Sequence, residues 1–173
     1  TLPVPMKAAV VVGQHLPKLS KDFLWAGRAL FTVSNGKGEH FTFTVRKVEK
    51  EYPLGSGQKT VAFFLNVKEL DGRFNRKYIG IVDPSTGDIK STHKSEYLPG
   101  TRPYEVAKWA IGVVLNAKMI PESYQIAHAG KCGRCGRTLT DPQSIERGIG
   151  PEQEHQLGAR HPGVQLAQRV RGV

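Results

Sequence analysis

Between residues 30 and 46 two β-rich runs flank an Asn-Gly pair, and no other stretch constrains the chain as strongly. Leu30-Phe31-Thr32-Val33 leads into Asn35-Gly36-Lys37-Gly38, and His40-Phe41-Thr42-Phe43-Thr44-Val45-Arg46 follows. Asn-Gly tolerates the positive φ values of a tight turn, so the two runs are expected to fold back on each other as an antiparallel hairpin. In the second run Phe41, Phe43 and Val45 alternate with Thr42, Thr44 and Arg46. Successive side chains on a strand point to opposite faces, which makes one face apolar and the other wet. Such a sheet needs a cover on its apolar side.

Further strands are expected at Thr60–Val67, at Lys77–Val82 and, beyond the turn Asp83-Pro84-Ser85-Thr86-Gly87, at Asp88–Thr92. Pro fixes φ and Gly takes the left-handed position in that turn, so about five strands follow as a meander. The cover is the segment opened by Pro103, a residue suited to the first turn of a helix. Val106, Trp109, Ala110, Val113, Val114 and Ala117 recur there at helical spacing, so Trp109 reads as core. The expected class is α+β: an antiparallel sheet of about five strands covered by one main helix, with a small C-terminal zinc-knuckle module. The expected boundaries are an N-terminal arm over 1–28, a core over 29–127, the knuckle over 128–155 and a flexible basic tail over 156–173.

The knuckle is read from His128-Ala129-Gly130-Lys131-Cys132-Gly133-Arg134-Cys135-Gly136-Arg137. Two thiolates with two residues between them can share one Zn²⁺, and a Gly after each Cys lets the chain turn under the sulfurs. A tetrahedral structural site takes four ligands, and the sequence holds only these two cysteines. His128 and His155 are the chosen partners, with His161 as substitute for either. Asp141-Pro142 then starts a short helix through Arg147, Gly148 ends it, and Ile145 and Ile149 are expected to cover the apolar side of the metal. Free buried thiols and a reversible dithiol compete with this reading. The glycine flanks and the lack of a βαβ context for a redox motif favour the metal.

The block Cys132-Gly133-Arg134-Cys135-Gly136-Arg137, with Leu139-Thr140-Asp141-Pro142, Ser144-Ile145 and Arg147-Gly148-Ile149-Gly150-Pro151-Glu152 behind it, resembles the C-terminal signature of small phage-encoded proteins grouped as a domain of unknown function. The resemblance runs over roughly residues 29–152, through the Asp83–Gly87 turn, the Trp-bearing helix and His128. It implies a phage origin and a zinc-ribbon-like ending, and supplies no established activity. The family pattern carries a further Cys where this sequence has Gln153, and His155 stands two residues on.

The formal charge is +10 and the pI about 9.8, which favours a polyanionic partner, because Lys and Arg that meet phosphates release condensed counterions. Nucleic acid is the first expectation, with Lys131, Arg134 and Arg137 on the knuckle and Arg160, Arg169 and Arg171 on the tail as phosphate contacts. The alternative is a phage factor that binds a host or virion protein, either blocking a host machine or serving as a virion component, with no nucleic-acid contact. No Gly-rich phosphate loop, nucleophile elbow or paired-carboxylate pattern is present, so an enzyme is not expected. No apolar run reaches the ~20 residues of a membrane span, and no export signal is read in the first residues. The expected place is the cytoplasm, that of the host cell for a phage protein, or the virion.

Overall fold

The structure, a computed structural model, describes residues 13–70, 74–140 and 142–150. The chain enters through β1 (Gln14–His15) and a single helical turn, α1 (Lys21–Leu24), capped by the Ser20 hydroxyl, which accepts the Phe23 amide at 3.2 Å. The hairpin follows as β2 (Arg28–Ser34) and β3 (His40–Glu51), in register from Arg28 opposite Arg46 to Ser34 opposite His40. Its turn is closed chiefly by Asn35, whose side-chain oxygen accepts the amides of Lys37 at 2.9 Å and Glu39 at 3.1 Å. Next come β4 (Lys59–Leu70), β5 (Phe74–Val82) and β6 (Ile89–Lys90), each antiparallel to the strand before it.

The chain then forms α2 (Arg102–Leu115), the short β7 (Ile120–Pro121), which pairs with β1, and β8 (Gln125–His128). The last element is α3 (Pro142–Arg147). The main sheet therefore has six strands, in the order β6-β5-β4-β3-β2-β8, one more than the meander expected from the sequence. The extra strand, β8, has four residues, Gln-Ile-Ala-His, too few to display a period of two. Its place beside β2 puts the Cys-x-x-Cys segment, which follows at once, against the first hairpin.

The inner face carries Phe31, Phe43, Val45, Leu65 and Ile79, all fully buried, and α2 lies across it through Val106, Ala107, Ala110 and Ile111. Trp109 sits at the edge of that stripe, half-buried, with its ring edge-on to Tyr124 at 5.6 Å. Pro103 falls in the first turn of α2, as its fixed φ favours. The helix ends with Ala117 at φ +48, while the amides of Ala117 and Lys118 return to the carbonyls of Val114 and Val113. From the arm, Phe23 and Leu24 are 1% and 0% exposed, so this part of it belongs to the core. The outer face of the sheet bears the other half of the alternation, including Thr42, Thr44 and Arg46, and no helix among the described residues lies over it. No described helix is long and apolar enough to cross a membrane.

Candidate metal knuckle and basic concavity

After β8 the chain makes a tight hairpin with the two cysteines at its tip. The Leu139 amide bonds the Gly130 carbonyl at 2.9 Å, the Cys132 amide bonds Arg137 at 2.8 Å, and the Gly136 amide closes on Cys132 at 2.9 Å. Gly136 stands at φ +75, where a side chain would be strained. Gly133 has a different reason: a Cβ there would lie 2.6 Å from the Phe23 ring. The same ring would meet a Cβ on Gly148 at 2.5 Å, so one phenyl group docks both halves of the module onto the core. The Arg28 amide on Gly133 and the Gly133 amide on Gly148, at 2.5 and 2.8 Å, complete the attachment.

Cys132 is 1% exposed and packs with Leu139 and Ile149, whereas Cys135 is exposed. Ile149 is thus buried beside Cys132, and Ile145 instead lies 39% exposed. Burial alone would push the Cys132 thiol up. The amides of Gly150, Cys135 and Arg134, together with the Cys135 side chain, outweigh it and hold the thiol below its ordinary range. The Gly150 amide reaches the sulfur at 3.5 Å. Amides turned toward sulfur suit a thiolate, so the two cysteines fit half of a tetrahedral Zn²⁺ shell.

His128 is not brought into that set. Its Nδ1 accepts the Gly130 amide at 3.0 Å, its Nε2 meets the Ile145 carbonyl, and its ring lies 5.2 Å from that of Phe23. Both ring nitrogens are thereby turned to main chain. Among the described residues no group of three His, Cys, Asp or Glu side chains could hold a metal. His155 and His161, and the tail residues Arg160, Arg169 and Arg171, lie outside the described residues.

The outer face of the sheet holds what the sequence reading missed. Where the knuckle hairpin leans over β2 and β3, a concavity of about 360 Å³ opens, lined by Arg28, Arg46, Lys68, Arg76 and Lys131 together with Thr44, Leu30 and Gly136. The register places these cations together: Arg28 opposes Arg46 on β2 and β3, and Lys68 opposes Arg76 on β4 and β5. No carboxylate is among the described lining residues. Burial first, then the charges of Arg76 and Lys131, pull the Lys68 ammonium below its ordinary pKa. Thr44, 9% exposed, lines the same space, and its Oγ1 has no hydrogen-bond partner among the described residues. A buried hydroxyl left so costs roughly 1–3 kcal/mol.

Of the knuckle cations, Lys131 borders the concavity, while Arg134 and Arg137 stand on the hairpin outside its lining. The signal for the missed residues was in the alternation of the strands, which turns Thr44 and Arg46 away from the core together. What the sequence did not reveal is which strands would stand side by side.

No curated protein and no solved structure matches the chain. Residues 126–152, which take in most of β8, the cysteine hairpin and α3, match the model of a family of unknown function, DUF6011.

Proposed function

We propose that this chain is a small phage-type accessory protein, without enzymatic activity, that binds nucleic acid through the outer face of its sheet and carries a structural Zn²⁺ in its knuckle. The single observation that carries the reading is the concavity where five cationic side chains converge with no carboxylate among the described lining residues. Gathering like charges is unfavourable for the free protein, and a phosphodiester backbone relieves it. The metal supports this indirectly: a bound ion would fix the hairpin that presents Lys131, Arg134 and Arg137, so that less freedom is lost on binding. Cys132 and Cys135 would supply two ligands, and His155 with a second group from the tail the others. The phage origin rests on the likeness of the motif.

The test joins metal and binding. Purified protein is expected to carry about one Zn²⁺ per chain by elemental analysis. It should be retained on a DNA column with an affinity that falls steeply with salt. Cys132→Ser leaves every basic side chain in place, yet is expected to loosen the hairpin and weaken retention. Indifference to nucleic acid at low salt would refute the binding, and metal-free protein with an ordered knuckle would refute the zinc site.

A further inference from the structure

A concavity differs from a basic surface in what it admits. The cations here surround a recess whose wall includes Thr44, more than nine-tenths buried and with its hydroxyl unpartnered among the described residues. A duplex holds its phosphates on a stiff, convex rod with a persistence length of about 150 base pairs, and such a rod meets a recess only at its rim. A single strand bends freely and can lower one phosphate inside. The same face carries an aromatic pair: Phe64, opposite Arg46, and Tyr78, opposite Asn66, which itself pairs with Thr44. Their rings lie 5.9 Å apart, tilted by 46°, and both are half-buried with their remaining surface outward. Tyr78 is two interstrand spacings of ~4.8 Å from Thr44. Core packing does not account for these rings, since the apolar core lies on the other side of the sheet.

We infer that the ligand of this face is a single strand of nucleic acid, one phosphate of which seats in the concavity of Arg28, Arg46, Lys68, Arg76 and Lys131 beside Thr44, while neighbouring bases stack on Phe64 and Tyr78. The inference rests on the nucleic-acid reading above and narrows it. Phosphate in a basic recess supplies salt-dependent affinity with no sequence preference, and a ring face accepts any base, so binding is tolerant of sequence.

The experiment measures fluorescence anisotropy of the full chain against a labelled single-stranded oligonucleotide and against the duplex of the same sequence, at one salt concentration. The single strand should bind more tightly. Phe64→Ala should weaken it by roughly 5- to 150-fold while changing duplex affinity little. Phe64→Leu, which keeps the apolar bulk and so the fold, should weaken it in the same direction. Thr44→Val should reduce single-strand affinity several-fold with an unchanged or raised melting temperature, because it removes a hydroxyl that has no partner among the described residues. A merely structural Thr44 would instead lower the melting temperature. Equal affinity for both forms, or an unchanged affinity in both Phe64 variants, overturns the single-strand inference and leaves general nucleic-acid binding standing. If neither form binds and inorganic phosphate alone raises the melting temperature, the recess takes a free anion, and both readings fall.

Discussion

Replacing Gly133 by Ala tests how the knuckle is held. The added methyl would lie 2.6 and 2.8 Å from two carbons of the Phe23 ring and 3.1 Å from the Phe23 carbonyl oxygen. Carbon atoms attract best at about 3.5–4.0 Å, so two of these contacts are repulsive. The ring cannot swing into solvent, since Phe23 is 1% exposed and serves both Gly133 and Gly148. Overpacking of this kind costs about 1–3 kcal/mol. For a chain of this size each kcal/mol moves the melting temperature by roughly 2–4 °C, which gives a fall of roughly 2–12 °C if the module and core unfold together. Gly136→Ala is the control: nothing lies within 4 Å of its added Cβ, and its cost is the strain of φ +75, about 1–2 kcal/mol. Pairing Gly133→Ala with Phe23→Leu should recover part of the loss, because the two positions share one contact and their effects cannot add. Differential scanning calorimetry on the natural chain, the three single variants and the double variant decides. Strict additivity of Gly133→Ala and Phe23→Leu, with Gly133→Ala no worse than Gly136→Ala, would refute the docking of the knuckle on α1.

Ala117 holds a left-handed conformation at the end of α2, so Ala117→Gly should stabilise the protein by about 0.5–1 kcal/mol, after the extra chain entropy of Gly is set against the relieved strain; chemical denaturation would register it as a higher midpoint. The hydrogen bonds from Arg102 hold Glu39 below its ordinary value of 4.5 against the opposing effect of burial, with the Arg102 charge a smaller help. A lowered carboxylate stabilises above its unfolded pKa and loses that contribution as pH falls through the folded one. The gap in melting temperature between the natural chain and Glu39→Gln should therefore be present at neutral pH and close as the pH falls below the ordinary carboxylate range. It stays within about 1 kcal/mol, because both side chains are about two-fifths exposed.

The hairpin, the meander and α2 were legible in the sequence because each is written in local terms: alternation, turn residues and a helical stripe after Pro103. Their agreement with the structure reflects a core built on one face of one sheet. β8 was not legible, since a four-residue edge strand is selected by the neighbour it finds. The knuckle was legible as a turn, but local pattern assigns both glycines one role. In the fold Gly136 serves φ, while Gly133 makes room for Phe23, a residue over a hundred positions away that no local pattern connects to it. His128 looked suitable as a ligand by its distance from Cys132 along the chain. β8 fixes its direction, however, and turns its ring to the carbonyl of Ile145. The basic concavity depends wholly on register, because Arg28, Arg46, Lys68 and Arg76 are unremarkable until four strands align them.

The central claim is that these cations bind phosphate together, and the salt dependence of affinity measures this most directly. For a single strand, log K falls with log salt at about 0.7 per phosphate neutralised, so the slope counts contacts. Arg46→Gln combined with Arg76→Gln removes two of the five lining charges and should reduce the slope by up to about 0.7, the share of the one phosphate seated there. Exchanging two basic residues elsewhere, Lys90→Gln and Lys118→Gln, lowers the net charge by the same amount and should leave the slope nearly unchanged. Equal reductions in the two variants would mean that bulk charge governs binding, and the concavity would then have no part in it.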